Sequence, residues 1–292
     1  MTLQRVLTAA VMVPVVVGVV WFGPTWVVAA VVAVVAAMAL IEFYNLGQPL
    51  VPRYQVIWST LCTLWLMLEQ WSITTLQTRT LEGGAILSAG GAFHVPLEVV
   101  VVVFALGAGG LALRESDLKA GVAILGKCAA GFMLVALPLS FLVRIHGVER
   151  YGRILLLFTL VVIWVGDSVA YFVGRAIGRM PMAPVLSPKK TWEGAAGNLL
   201  GSLLAGIPFV LLIWREDAAT AGMFEFRLIV MAGVANVAGQ VGDLVESAYK
   251  RAAGVKDSGA ILPGHGGVLD RVDSLIFAAP AVWCYVWFVL NP

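Results

Sequence analysis

The features that most restrict what this chain can become are its uninterrupted apolar runs. The first, VLTAAVMVPVVVGVVWF at 6–22, is followed two residues later by TWVVAAVVAVVAAMALIEFY at 25–44. Each approaches the ~20 residues a helix needs to cross a bilayer. Further candidate spans lie near 55–69, 96–113, 120–143, 154–174, 195–214, 227–247 and 274–290. Runs such as VVVGVVW do not alternate, which excludes the strands of a membrane barrel. Backbone groups in hydrocarbon must be satisfied within their own segment, and that leaves helices. Only 12% of the 292 residues are charged and 60% are hydrophobic, against ~25% charged in soluble domains. The expected fold is all-α, a polytopic integral membrane protein of about nine transmembrane helices. No small-residue cleavage site precedes WFGPTW, so the first run reads as a span and not as a signal peptide.

Charge distribution orients these spans. With the N-terminus and every second loop on one side, that side carries twelve of the nineteen Lys and Arg residues and the other carries six; Lys127 lies inside the fifth span. The positive-inside rule then puts the N-terminus and both long charged loops in the cytoplasm, and the C-terminus outside. No internal repeat or soluble domain is evident. Residues 1–150 read as N-terminal membrane helices giving scaffold and lipid access, and 151–292 as a catalytic membrane region with two charged cytoplasmic loops. Residues 70–95 read as a Gly-rich surface loop. His94 within it, and His146 in RIHGVERYGR, read as solvated loop residues, and Lys127 as a cation paired inside the membrane. Cys62, Cys128 and Cys284 show no CxxC spacing and read as small packing residues.

Ionisable residues at membrane depth cost ~2.5–3.5 kcal/mol on insertion scales and are functional candidates by default. In the eighth span Asn236, Gln240, Asp243 and Ser247 follow i, i+4, i+7, i+11, one helical stripe, with Glu246 beside Asp243. The stripe lines either a wet cavity or a helix–helix hydrogen-bond seam. In the sixth span Asp167 shares a face with Tyr171 and Gly174, and Arg175 and Arg179 follow. Asp167 either lines a cavity or ties two helices through an arginine. In LSPKKTWEG, residues 186–194, Ser187-Pro188 is a turn or helix-start signal and Thr191 can cap the helix that follows. Lys189 and Lys190 then stand near a helix N-terminus, where anions are favoured. They are a polyphosphate site or plain topology anchors.

The densest charge lies in VKDSGAILPGHGGVLDRVDSLIFAAP, residues 255–280. Gly264, Gly266 and Gly267 around His265 permit positive φ or close backbone approach, as a phosphate-cradling loop requires. Asp270 and Asp273, at i, i+3, join Asp243 in a set of hard oxygen ligands. That set suits Mg²⁺ bound through carboxylates plus substrate phosphates. His/Cys zinc spacing is absent.

The run from Ser247 to Asp273, with Lys250-Arg251, Lys256-Asp257, Leu262-Pro263, His265-Gly266-Gly267 and Asp270-Arg271, resembles the signature of the phosphatidate cytidylyltransferases, or CDP-diacylglycerol synthases. GDSVAYFVGRAIGR and SPKKTWEG are similar to that family's other blocks. The resemblance covers about residues 160–280; the N-terminal half matches only in hydropathy and span number. It implies the reaction of CTP with phosphatidate to CDP-diacylglycerol and pyrophosphate, with Mg²⁺ and room for a second metal ion. The implied setting is the cytoplasmic face of a bacterial inner membrane. The implied partners are CTP, phosphatidate, membrane lipids and a second copy of the chain as a homodimer, with no nucleic acid.

Under this resemblance Asp243 and Asp270 are the expected metal ligands, with Asp273 and Glu246 assisting and Asp167 lining the same cavity. Asp243, Asp270, His265, Lys250 and Arg271 form the expected catalytic set. Lys189, Lys190, Arg251 and Lys256 are further phosphate contacts, and Ser187, Thr191, Ser247, Gly266 and Gly267 join them in binding substrate. His265 either donates to a phosphate or braces an acid. Two other functions fit less well. A CTP-dependent polyprenol or phytol-type lipid kinase would lack the full signature. An ion-coupled transporter predicts inverted repeats and broken helices in both halves, whereas the acids here gather in the second half.

The orientation is open to test. Single cysteines replacing Ala183 and Ser258 are expected to be labelled only from the cytoplasm, and one replacing Ala218 only from outside. Labelling of 183 and 258 from opposite faces would overturn the nine-span arrangement.

Overall fold

Where an apolar run is long, the chain has no way to satisfy its backbone in lipid except as helix, and helices dominate the computed structural model. It describes residues 2–83, 96–216, 221–261 and 266–290. The order is α1 (Thr2–Phe22), α2 (Thr25–Asn45), α3 (Arg53–Gly83), α4 (Leu97–Ala112), α5 (Leu118–Gly131), a π-helical turn (Phe132–Ala136) and α6 (Leu137–His146). Then come α7 (Gly152–Ile177), β1 (Pro181–Ala183), β2 (Ser187–Thr191), α8 (Trp192–Glu216), α9 (Ala221–Ala252) and α10 (Leu269–Tyr285), which ends in a second π-helical stretch, Val286–Leu290. Among the described residues six helical segments are long and apolar enough to cross a membrane: Thr25–Asn45, Leu118–His146, Gly152–Ile177, Trp192–Leu212, Phe226–Ala252 and Leu269–Leu290. Shorter apolar helices cover Ala10–Phe22 and Leu97–Ala112. Leu106, Leu200 and Phe288 are largely exposed, as side chains facing lipid are. The protein is an all-α membrane protein with one small antiparallel hairpin.

Three local expectations need correction. Residues 70–83 continue α3 and are not loop; His94 lies outside the described residues. His146 is buried at the end of α6, where its ring nitrogens meet Thr25 Oγ1 and the Val20 carbonyl, each at 3.1 Å. A buried imidazole has to place both nitrogens, and the turn between α1 and α2 supplies the partners. Cys62 and Cys128 are buried as expected, but Cys284 is exposed.

The chain folds as two compact units, residues 1–153 with 253–271, and residues 154–252 with 272–292. In the first, α2 packs against α3 and α6, and α3 against α4. Ala29, Ala33, Ala36 and Leu40 form the buried stripe of α2; small residues let helix backbones approach where lipid offers no hydrophobic drive. Phe104 and Phe132 stack at 4.0 Å. In the second unit α8 runs along α9. Gly197 and Gly201 of α8 sit against Val173 and Val169 of α7, and Gly242 of α9 lies against the backbone of Asp273 in α10.

Among the described residues Lys127 meets no anion. Its ammonium donates to the carbonyls of Leu46, Gly47 and Pro49 at 2.5, 3.2 and 2.9 Å, so the cation is satisfied by the turn between α2 and α3. Lys127→Met keeps the length of the side chain and strips these carbonyls of their donor. An unsatisfied buried polar group costs ~1–3 kcal/mol, and the variant should melt several degrees lower in detergent. An unchanged melting temperature would show that solvent serves those carbonyls equally well.

Candidate functional site

The polar stripe of α9 divides into two parts. Its upper part is a seam: Asn236 Nδ2 donates to Asn198 Oδ1 at 2.5 Å and to Ser202 Oγ at 2.6 Å, and Gln240 Nε2 donates to Asn236 Oδ1 at 2.7 Å. Ser202 passes the chain on to the Val162 carbonyl at 2.9 Å. Gly166 makes this possible, because a Cβ there would run into Asn198, Ser202 and Asn236. Asn198 is also the partner of Asp167, donating to its Oδ1 at 3.1 Å. Asp167 therefore reaches across to α8, and Arg175 instead donates to Tyr171 Oη at 3.1 Å.

The lower part carries charge. Asp243 Oδ2 lies 2.6 Å from Lys190 Nζ, both side chains partly exposed, and Ser247 Oγ donates to Asp243 Oδ1 at 3.5 Å. One turn further on, Glu246 and Lys250 form a buried pair at 2.5 Å. Gly242 lets the backbone of α10 close on α9 beside Asp243, and Asp273 follows there. The charges of Asp243, Glu246 and Asp167 all act on the Asp273 carboxyl, and those of Asp243 and Lys190 on Asp167. Asp167 is solvent-exposed although it sits ten residues, about 15 Å, from the end of α7.

The hairpin brings Lys190 to this cluster. Ser187–Thr191 is a strand, not the helix start its Ser-Pro pair suggests; Ala183 pairs with Ser187 and Pro181 with Thr191. Thr191 Oγ1 does cap α8, accepting from the Gly194 N–H at 3.1 Å. Glu193 accepts from the Met180 N–H at 3.2 Å, and Arg251 Nε donates to the Leu186 carbonyl at 3.1 Å. The hairpin is thus tied to both α8 and α9. Alternation along the strand separates the lysines: Lys190 turns to Asp243, and Lys189 is exposed.

The first unit holds the remaining signature residues. Asp270, in the first turn of α10, accepts from the Ser258 N–H at 3.0–3.2 Å and from the Gly267 N–H at 2.8 Å. Gly266 has φ +81°, the left-handed conformation expected of a glycine in this loop. Lys256, Asp257 and Arg271 are exposed. Gly264 and His265 lie outside the described residues. Sequence reasoning passed over the acid that organises this segment. Glu42 of α2 is buried and accepts from the N–H groups of Val268 and Leu269 at 3.0 and 2.8 Å and from Ser258 Oγ at 3.1 Å. An isolated acid within ALIEFY was its only signal. Asn198 and Ser202 were passed over too, each a lone polar residue in the apolar run of α8.

Among the described residues no three His, Cys, Asp or Glu side chains converge closely enough to hold a metal alone. The α7–α10 cluster is nonetheless a fit for Mg²⁺, which keeps waters and takes one or two carboxylates plus phosphates. Four carboxylates, Asp167, Asp243, Glu246 and Asp273, face two ammonium groups, Lys190 and Lys250.

A sequence model of the cytidylyltransferase family matches residues 3–289. A phosphatidate cytidylyltransferase of Haemophilus influenzae is 43% identical over 141 residues, 48% of this chain and 48% of that protein. One from Brucella abortus is 40% identical over 185 residues, covering 60% and 66%, and one from Bacillus subtilis is 40% identical over 156 residues, covering 53% and 54%. The matched stretches thus span from about half to just under two thirds of these relatives. With a match across nearly its whole length, the chain belongs to the cytidylyltransferase family.

Proposed function

We propose that this chain is a phosphatidate cytidylyltransferase that spans the membrane nine times, with its N-terminus and charged loops in the cytoplasm. The observation that carries the reading is the cluster of Asp167, Asp243, Glu246 and Asp273 with Lys190 at its edge. Phosphatidate cytidylyltransfer needs no protein nucleophile. A phosphate oxygen of phosphatidate attacks the α-phosphorus of CTP, a new P–O bond forms, and the α–β bridge breaks to release pyrophosphate. The work left to the protein is alignment and stabilisation of charge.

Asp243 and Asp273 would hold Mg²⁺, with Asp167 and Glu246 adding negative charge. Bound there, Mg²⁺ would neutralise phosphate oxygens and steady the leaving pyrophosphate. Lys190 is suited to meet a phosphate as a point charge, and Asp243 holds it in place. The polar stripe of Gln240, Asp243 and Ser247 supports an aqueous pocket that a headgroup can enter while its acyl chains stay in lipid. The Gly166–Asn198–Asn236 seam fixes α7, α8 and α9 around that pocket.

The test is purified protein in detergent with phosphatidate, Mg²⁺ and CTP labelled at either the α- or the γ-phosphate. Cytidylyltransfer puts the α-label into lipid and the γ-label into pyrophosphate. Appearance of the γ-label in lipid would make the protein a lipid kinase instead. Asp243→Asn and Asp273→Asn keep size and remove the charge that holds a hard cation. Both should insert and melt normally yet lose nearly all product formation. An acid that serves only packing predicts the reverse, a lowered melting temperature with turnover kept. Lys190→Ala should raise the KM for CTP roughly 10- to 150-fold, the equivalent of a charge-assisted hydrogen bond of ~1.5–3 kcal/mol. Unchanged CTP kinetics would make Lys190 a topology anchor.

A further inference from the structure

We infer that Glu42 is the positioning residue of the signature loop: from α2 it holds Ser258 at the loop's start and Val268 and Leu269 at its end, an arrangement on which catalysis depends. The activity half of this inference rests on the function proposed above. Glu42 grips the loop at both ends. Ser258 opens it and gives its hydroxyl to Oε2, while Val268 and Leu269 close it and give their N–H groups to Oε1 and Oε2. Asp270 repeats the closure on the backbone, taking the N–H groups of Ser258 and Gly267. One carboxylate thus brings together residues ten positions apart in sequence, with His265 between them and Lys256 and Arg271 on the flanks.

Two glycines of the signature are explained by the same side chain. A Cβ on Gly259 would stand 2.6 Å from Glu42 Oε1, and its three nearest neighbours would be atoms of Glu42. A Cβ on Gly267 would overlap Glu42 Oε2 and Ser258 Oγ. Val255, Lys256, Asp257, Ala260 and Ile261 are exposed, whereas Ser258, Val268 and Leu269, the residues Glu42 holds, are buried. Electrostatics fix where the acid belongs. Glu42 lies in the last turn of α2, whose negative end disfavours it, and it meets the first N–H groups of α10, whose positive end favours it. Among the described residues no lysine or arginine pairs with it, so its charge is committed to the loop.

Glu42→Gln keeps the shape but puts an amide NH₂ where two backbone donors and a hydroxyl converge. Hydrogen exchange at the amides of Val268 and Leu269 should quicken roughly tenfold or more, the loss expected of a hydrogen bond to a charged group. Turnover of CTP and phosphatidate should fall about 100-fold, the effect of a displaced catalytic segment, with the melting temperature nearly unchanged. Ser258→Ala keeps both backbone bonds and should leave that protection intact. Gly259→Ala drives a methyl against Glu42 alone and should reproduce the fall in turnover, which gives a second reading if Glu42→Gln folds poorly. Wild-type turnover in Glu42→Gln or in Gly259→Ala would overturn the inference. So would lost turnover in Glu42→Gln with the loop amides still protected. If the wild-type protein itself transfers no cytidylyl group, the proposed function fails, and the exchange comparison alone decides whether Glu42 holds the loop.

Discussion

A bare charge at membrane depth costs ~2.5–3.5 kcal/mol even on lenient scales, and the acids of this protein show four ways of meeting that cost. Asp167 takes an amide from Asn198, Asp243 an ammonium from Lys190, and Glu246 an ammonium from its own helix at Lys250. Glu42 takes backbone N–H groups and a hydroxyl. Except for the Glu246–Lys250 pair, each solution crosses from one element to another. Helices in lipid gain nothing from burying leucine against leucine, so such polar crossings and close glycine contacts do much of the joining. Asp167 and Asp243, proposed for the chemistry, thus also join one element to another.

The helices were legible because a twenty-residue apolar run admits one backbone solution. The charged stripe of α9 was legible because Asn236, Gln240, Asp243 and Ser247 repeat at helical spacing. Contacts made at long sequence distance were not. Lys127 stands alone in its run, and nothing in the sequence points to carbonyls some 80 residues away. The hairpin was missed because SPKKT has no apolar alternation; what holds it is Glu193 and Arg251, together with the pairing to Pro181–Ala183. Glu42 is a different kind of omission. The rule that singled out Asp167 and Asp243 as acids inside spans applies equally to Glu42, but attention went to clusters, and Glu42 has no charged neighbour in its own helix.

The signature itself serves two packing environments. Residues 247–252 belong to the second unit, 253–271 to the first, and 272–273 to the second again. A contiguous motif need not be a contiguous site. Ser247 supports Asp243 and Lys250 neutralises Glu246, whereas Ser258, Gly267 and Asp270 serve the loop. The spacing of the motif is set by both demands together. The N-terminal helices, which the family model also covers, thus contribute a residue on which the motif's geometry depends.

This bears on how the loop's glycines are understood. Glycines around a histidine suggest a backbone cradle for phosphate, since N–H groups at a positive-φ turn attract anions. Gly266, at φ +81°, keeps the conformation that such a cradle needs. Gly267 is differently placed: its N–H is already given to Asp270, and its missing Cβ makes room for Glu42 and Ser258. A phosphate at Gly267 would have to displace Asp270, itself an anion. The two adjacent glycines thus answer different constraints, one conformational and one steric. A buried carboxylate such as Glu42 can hold the two ends of such a loop, because every donor it releases would be left unsatisfied.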